Sequence, residues 1–181
     1  MVEIQKLFFL ETSVNVSVNL GVGKTAIVHS LVNNEFPHKL ASTMGACFQR
    51  YECKMQDGKN ISMDIWDTAG QEKYRSLLSL YYKNSDVIVM VFDVSKEETF
   101  ETVSYWAKQI NDNCENKPAV ILVGNKIDLR GTTKIISDEK VRNYAKNKGW
   151  FFYYASAMEI LNIKEIFIKA AELALNAQLK N

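Results

Sequence analysis

Apolar residues along the chain form two kinds of block. Short runs rich in β-branched residues read as strands, and stretches with apolar residues three and four apart read as helices. Val87-Ile88-Val89-Met90-Val91-Phe92 is continuously apolar, the pattern of a central strand buried on both faces. Residues 119–123 make a second such run, and the aromatic stretch 150–154 reads as a further strand. Residues 46–55 and 60–67 flank Gln56-Asp57-Gly58-Lys59, and Asp-Gly between strand-like runs predicts a hairpin. Val14 and Val16 alternate with polar neighbours and lead into Gly21-Val22-Gly23-Lys24-Thr25, which predicts a strand, a loop and a helix over about 25–32. Phe100, Val103, Trp106 and Ala107 share one face of a predicted helix over 98–110, and residues 138–146 predict a shorter one. Ile163, Ile166, Phe167, Ala170 and Ala174 stripe the last helix. Alternating strands and helices predict an α/β fold with helices packed on a mostly parallel sheet.

A length of 181 residues fits one compact domain, and 47% hydrophobic with 24% charged residues is ordinary globular composition. With 22 Lys+Arg against 21 Asp+Glu, the net charge of +1 argues against nucleic acid as a partner. No apolar run approaches the roughly 20 residues of a membrane-spanning helix. Residues 1–10 carry Glu3 and Lys6 around a short apolar patch and lack the basic and small-residue features of a signal peptide. Cys47, Cys53 and Cys114 have no metal spacing and read as reduced thiols of a cytosolic protein.

The segment Val18-Asn19-Leu20-Gly21-Val22-Gly23-Lys24-Thr25 approaches the phosphate-loop pattern of Gly, four residues, then Gly-Lys-Ser/Thr. Backbone N–H groups of such a loop point inward, and the following helix adds the positive end of its dipole. Lys24 would reach the β- and γ-phosphates, and the Thr25 hydroxyl would ligate Mg²⁺, a cation that prefers oxygen. Val18 stands where the first glycine belongs. Read alone, the segment could also be a generic glycine-containing strand–helix turn.

Three further motifs bear on that choice. In Asp67-Thr68-Ala69-Gly70-Gln71-Glu72, an acid at a strand end can hold Mg²⁺ through water. Gly70 can offer its N–H to a γ-phosphate, and Gln71 is placed to orient an attacking water. In Asn125-Lys126-Ile127-Asp128, the carboxylate of Asp128 would accept the ring N–H and exocyclic amine of guanine, a pair of donors adenine lacks. In Ala155-Ser156-Ala157, the Ala157 N–H could donate to the guanine carbonyl.

With these motifs in this order, the chain resembles the Ras-like small GTPases, and among them the Rab family most closely. The resemblance runs from about residue 12 to residue 179 and includes Ser42-Thr43-Met44-Gly45, Trp66, Lys73-Tyr74-Arg75-Ser76-Leu77 and Tyr81-Tyr82. It implies a single Rab-like GTPase domain over 1–181, with a six-stranded, mostly parallel sheet, one antiparallel edge strand and helices on both faces. It implies GTP or GDP and Mg²⁺ as ligands, with Leu20, Gly21, Val22, Gly23, Lys24, Thr25, Ala26, Thr43, Gly70, Asn125, Lys126, Asp128, Ser156, Ala157 and Met158 around the nucleotide. By motif position Thr43 joins Thr25 and Asp67 at the metal. Phe36 sits where an aromatic residue packs against guanine, with a core anchor as the alternative. Phe48, Trp66 and Tyr81 match the aromatic triad shown to effectors, with hairpin packing as the alternative. Partners would be an exchange factor, a GTPase-activating protein and effectors in vesicle traffic, in the cytoplasm and peripherally at endomembranes.

Four departures from the family pattern stand out: Val18, Leu20 in place of a small residue, Met158 in place of lysine, and the absence of cysteine in Gln178-Leu179-Lys180-Asn181. Leu20 lies beside the γ-phosphate by motif position and predicts slow hydrolysis. The missing cysteine leaves open a trimmed chain, a chain that continues, or an atypical member without a lipid anchor, so membrane association depends on a lipidated tail or a further domain. Val18 and Leu20 also support a second reading, a nucleotide-locked or hydrolysis-deficient Rab-like scaffold that forms one half of a longer chain.

Overall fold

The computed structural model describes residues 2–11, 21–39, 43–44, 46–68, 82–83, 85–131, 133 and 136–178, with 2–11 and 178 described by their backbone. Six strands, β1 (Val2–Glu11), β2 (Ala46–Lys54), β3 (Asn60–Thr68), β4 (Val87–Asp93), β5 (Ala119–Asn125) and β6 (Phe151–Tyr154), form one sheet in the order β2-β3-β1-β4-β5-β6. Only β2 runs antiparallel to its neighbour β3; every other pairing is parallel. Among the described residues five α-helices accompany them: α1 (Lys24–Asn33), α2 (Glu97–Glu101), α3 (Val103–Asn113), α4 (Asp138–Lys148) and α5 (Ile163–Gln178).

The sheet is covered on both faces, and the period of two along its strands sorts the side chains. Val87, Val89 and Val91 of β4 join Ile121 and Val123 in a core with Ile27 and Leu31 of α1 and Ile166 and Phe167 of α5. Ile88, Met90 and Phe92 join Val120 and Leu122 in a second core with Phe100, Val103, Trp106 and Val141 of α2, α3 and α4. All seven residues of β4 are buried, which is why its sequence does not alternate. On the edge, β2 is mostly exposed, with Cys53 buried and Tyr51 half-buried against Phe167. The hairpin joining β2 to β3 turns at Gly58, whose φ of 82° suits a residue without a Cβ.

The structure adds one strand and corrects one helix. A strand the sequence reading did not expect, β1, spans Val2–Glu11 and pairs with β3 on one side and β4 on the other; the strand expected at Val14 and Val16 lies outside the described residues. Glu3 and Lys6 disguised a strand that the pairing on both sides stabilises. The helix expected over 98–110 is two pieces, interrupted at Thr102 (φ −75°, ψ −11°), whose hydroxyl donates to the Thr99 carbonyl at 3.0 Å. Among the described residues, no helix is long and apolar enough to cross a membrane.

The parallel strands deliver their carboxyl ends to one rim of the sheet. Asp67 and Thr68 end β3, Asp93 ends β4, Asn125 ends β5, and Ala155 to Ala157 follow β6. A crevice beyond the carboxyl ends of the strands is the usual ligand site of such a sheet.

Candidate functional site

One part of the rim begins at α1. Gly23 caps the helix with φ 93°, and its carbonyl accepts the first intrahelical bond from the Ile27 N–H at 2.9 Å. No acidic residue lies in the first turn, so no carboxylate there competes with an anion for the helix N-terminus. Gly21 is exposed, while Val22, Lys24 and Ala26 are buried. An ammonium this buried is held only among compensating groups.

Beside it, three oxygens from three segments converge. Thr25 Oγ1 donates to Asp67 Oδ2 at 2.5 Å and lies 2.8 Å from Thr43 Oγ1. Thr43 Oγ1 is 3.5 Å from the same carboxylate oxygen. Two hydroxyls and a carboxylate form an all-oxygen donor set with no cationic side chain among the three. That chemistry fits Mg²⁺, which uses few protein ligands and keeps water or phosphate for the rest.

The other part is a cross-linked set of turns after β5 and β6. Asn125, 1% exposed, donates from Nδ2 to the Val22 carbonyl at 2.9 Å and accepts from the Ala157 N–H at 3.2 Å. It thus ties the α1 loop to the turn after β6. Lys126 follows in the left-handed region (φ 67°), and a single 3-10 turn (Ile127–Leu129) carries Asp128. Ser156 Oγ donates to Asp128 Oδ1 at 2.5 Å and accepts from the Glu159 N–H at 3.0 Å. Ser156 and Leu161 exchange backbone bonds across the turn, which closes on two left-handed residues, Ile160 and Asn162. The Ala157 N–H, expected to meet a guanine carbonyl, is engaged by Asn125, so a ligand there would share it.

Two contributors escaped the sequence reading. Asp93 is buried and ion-paired to Lys126 Nζ at 2.6 Å. Burial opposes its ionisation, but the Lys126 ammonium and the Ser95 hydroxyl and amide outweigh burial and hold the carboxyl below its ordinary value. A lone acid ending a continuous apolar strand was the available signal. Ser30 of α1 donates to the Ala157 carbonyl at 3.0 Å, a second tie between the helix and the turn; nothing in the sequence marked it.

The remaining expected residues are placed as follows. Phe36 and Met158 are exposed. Phe48, also exposed, faces Trp66 across the β2–β3 pair with ring centroids 5.2 Å apart, and Arg50 lies 5.8 Å from the Phe48 ring. Leu20, Gly70, Gln71 and Tyr81 lie outside the described residues.

The chain is similar in sequence to known proteins. A sequence model described as the Ras family matches residues 8–176. Two Arabidopsis thaliana proteins, Ras-related protein RABA1h and Ras-related protein RABA2a, are each 37% identical over 147 residues. The matches cover 81% of this chain, and 66% and 67% of the two proteins. A probable Rab-related GTPase of Acanthamoeba polyphaga mimivirus is 34% identical over 149 residues, 82% of this chain and 69% of that protein. The chain therefore spans about two thirds of the length of these relatives.

Proposed function

Because this chain belongs to the Ras family of small GTPases, in its Rab branch, we propose that it is a guanine-nucleotide switch that binds GTP and hydrolyses it slowly to GDP and phosphate. The observation that carries the reading is the convergence of Thr25, Thr43 and Asp67 oxygens beside the N-terminus of α1.

The chain's own groups divide the work. Lys24 and the first amides of α1 bind the phosphates. Thr25, Thr43 and Asp67 would hold Mg²⁺, which would neutralise phosphate charge as it develops. Gln71 orients the attacking water, and Gly70 offers its amide to the γ-phosphate. Asp128, fixed by Ser156, accepts the two donors on the guanine edge, while Ala157 and Met158 line the base and Phe36 packs against it. Catalysis is then mostly positioning and charge stabilisation.

Thr43 and Gly70 would be ordered by GTP and released after hydrolysis, and the surface of Phe48, Trp66 and Tyr81 would read that change to effectors in vesicle traffic. An exchange factor and a GTPase-activating protein would set the cycle. The protein would work in the cytoplasm and peripherally at endomembranes.

Leu20 is the proposed cause of the slow rate. By motif position a leucine there would crowd Gln71 and obstruct an incoming arginine, a contribution worth about 10³–10⁵ in rate where it is used. The deciding experiment identifies the nucleotide released on denaturation and follows single-turnover hydrolysis in wild type, Asp128→Asn and Leu20→Gly. Guanine nucleotide in wild type, a shift toward xanthine nucleotide in Asp128→Asn and faster turnover in Leu20→Gly are expected. Unchanged guanine preference in Asp128→Asn would refute the base site. A Leu20→Gly rate equal to wild type, alone and with an activating protein, would refute the account of Leu20.

A further inference from the structure

Asp93 has no place in the contacts assigned to the nucleotide, yet it is one of the most deeply buried acids among the described residues, at 1% exposure. It ends β4 opposite Asn125, the last residue of β5. Its two carboxylate oxygens are used differently. Oδ1 accepts from the Ser95 N–H at 2.9 Å and from the Ser95 hydroxyl at 2.6 Å. Oδ2 takes Lys126 Nζ at 2.6 Å.

Lys126 needs such a partner. Its backbone is left-handed, a conformation that a side chain disfavours. The Leu129 N–H donates to the Lys126 carbonyl at 3.0 Å, so the same residue opens the turn that carries Asp128. Asp128 is thus held from two sides. Ser156 grips its carboxylate, and the turn beneath it starts from a lysine whose side chain is anchored in β4.

We infer that Asp93 is a positioning residue of the base site: by anchoring Lys126 it holds the turn that presents Asp128 and so slows nucleotide release. The inference rests on the reading of that turn as the guanine site. The side chain can be tested apart from the backbone. The Asp93 N–H donates to Thr99 Oγ1 at 3.0 Å and its carbonyl accepts from that hydroxyl at 3.2 Å, and neither bond uses the carboxylate. Asp93→Asn keeps an oxygen for Ser95 and turns only the atom facing Lys126 from acceptor to donor.

The test measures release of a fluorescent GDP analogue from the full chain with Mg²⁺, in wild type, Asp93→Asn, Lys126→Met and the double variant. Each single variant should release about tenfold faster, the scale of one lost charge-assisted contact. The double variant should release no faster than the faster single, because the two residues act through one contact. Thermal unfolding in parallel identifies a variant that fails to fold, and Asp93→Ser then replaces Asp93→Asn. Release at the wild-type rate, or a double variant whose acceleration is the product of the two singles, would overturn the assignment; a residue with only a structural role gives that product. A wild type that retains no guanine nucleotide would overturn the proposed function and this assignment with it.

Discussion

A Cβ placed on Gly23 would lie 2.4 Å from Nδ2 of Asn125. That amide is not a mobile tip. It is buried and donates to the carbonyl of Val22, the residue next to the glycine, while its oxygen accepts from Ala157. The loop before α1 therefore approaches the end of β5 as closely as backbone allows. The left-handed φ of Gly23 is a second reason for the same residue.

Gly23→Ala should destabilise the fold by about 2–3 kcal/mol, combining the 1–2 kcal/mol of a left-handed alanine with a displaced buried hydrogen bond. Urea unfolding measures it. The loss should shrink in an Asn125→Ala background, where the struck atom is absent. Equal losses in both backgrounds would mean that Asn125 moves aside freely.

Much of this arrangement was legible in the sequence, and the exceptions have physical reasons. Asp57-Gly58 marked the hairpin because the turn demands a left-handed glycine, and the Val87 to Phe92 run marked a buried strand because both faces need apolar side chains. Thr25, Thr43 and Asp67 come from distant positions, and only a motif of known order could announce their meeting. β1 was missed because its pattern is irregular and its stability comes from partners on both sides. Asp93 was missed because one acid gives no spacing to read; its meaning lies in Lys126, brought to it by the pairing of β4 with β5.

Ile160 should reverse the usual ranking of alanine and glycine. Its φ of 56° is unusual for a β-branched residue, while its side chain packs against the core of α1 and α5. Ile160→Ala loses that packing and keeps most of the strain. Ile160→Gly loses the packing and the strain together, so it should be more stable than the alanine variant by about 1 kcal/mol. Thermal unfolding of the two variants decides, and an alanine variant at least as stable as the glycine one would contradict the strain.

Asp93 should leave a mark on the acid limb of stability. Its folded-state pKa is depressed below the ordinary 3.8, with burial opposing and Lys126 and Ser95 outweighing burial. A depressed carboxyl contributes stability that is present above the unfolded-state value and is lost as pH falls through the folded-state value. Wild type should therefore exceed Asp93→Asn by about 2–3 kcal/mol near neutral pH, less than a fully buried pair would give because Lys126 is partly exposed. The difference should close as pH falls below 3.8. Urea titrations across that range would expose the alternative, a difference that persists unchanged into acid.

Thr25 should report the metal. Its hydroxyl lies within 2.8 Å of both Thr43 Oγ1 and Asp67 Oδ2 and links the α1 segment to the other two. A hydroxyl there can face a dication through its lone pairs, whereas the Asn amide of a Thr25→Asn variant brings added bulk and an N–H₂ group that cannot ligate. GTP has the larger stake, since it carries one more phosphate whose charge the metal would neutralise. Thr25→Asn should therefore weaken GTP more than GDP, by about tenfold or more in the ratio of dissociation constants at saturating Mg²⁺, the scale of one strong polar contact. Omitting Mg²⁺ should bring wild type toward the variant and leave the variant nearly unchanged. Calorimetric titration of both nucleotides with and without the metal checks each arm. A variant that responds to Mg²⁺ as wild type does would remove Thr25 from the metal site and leave its bond to Asp67 as a link between segments.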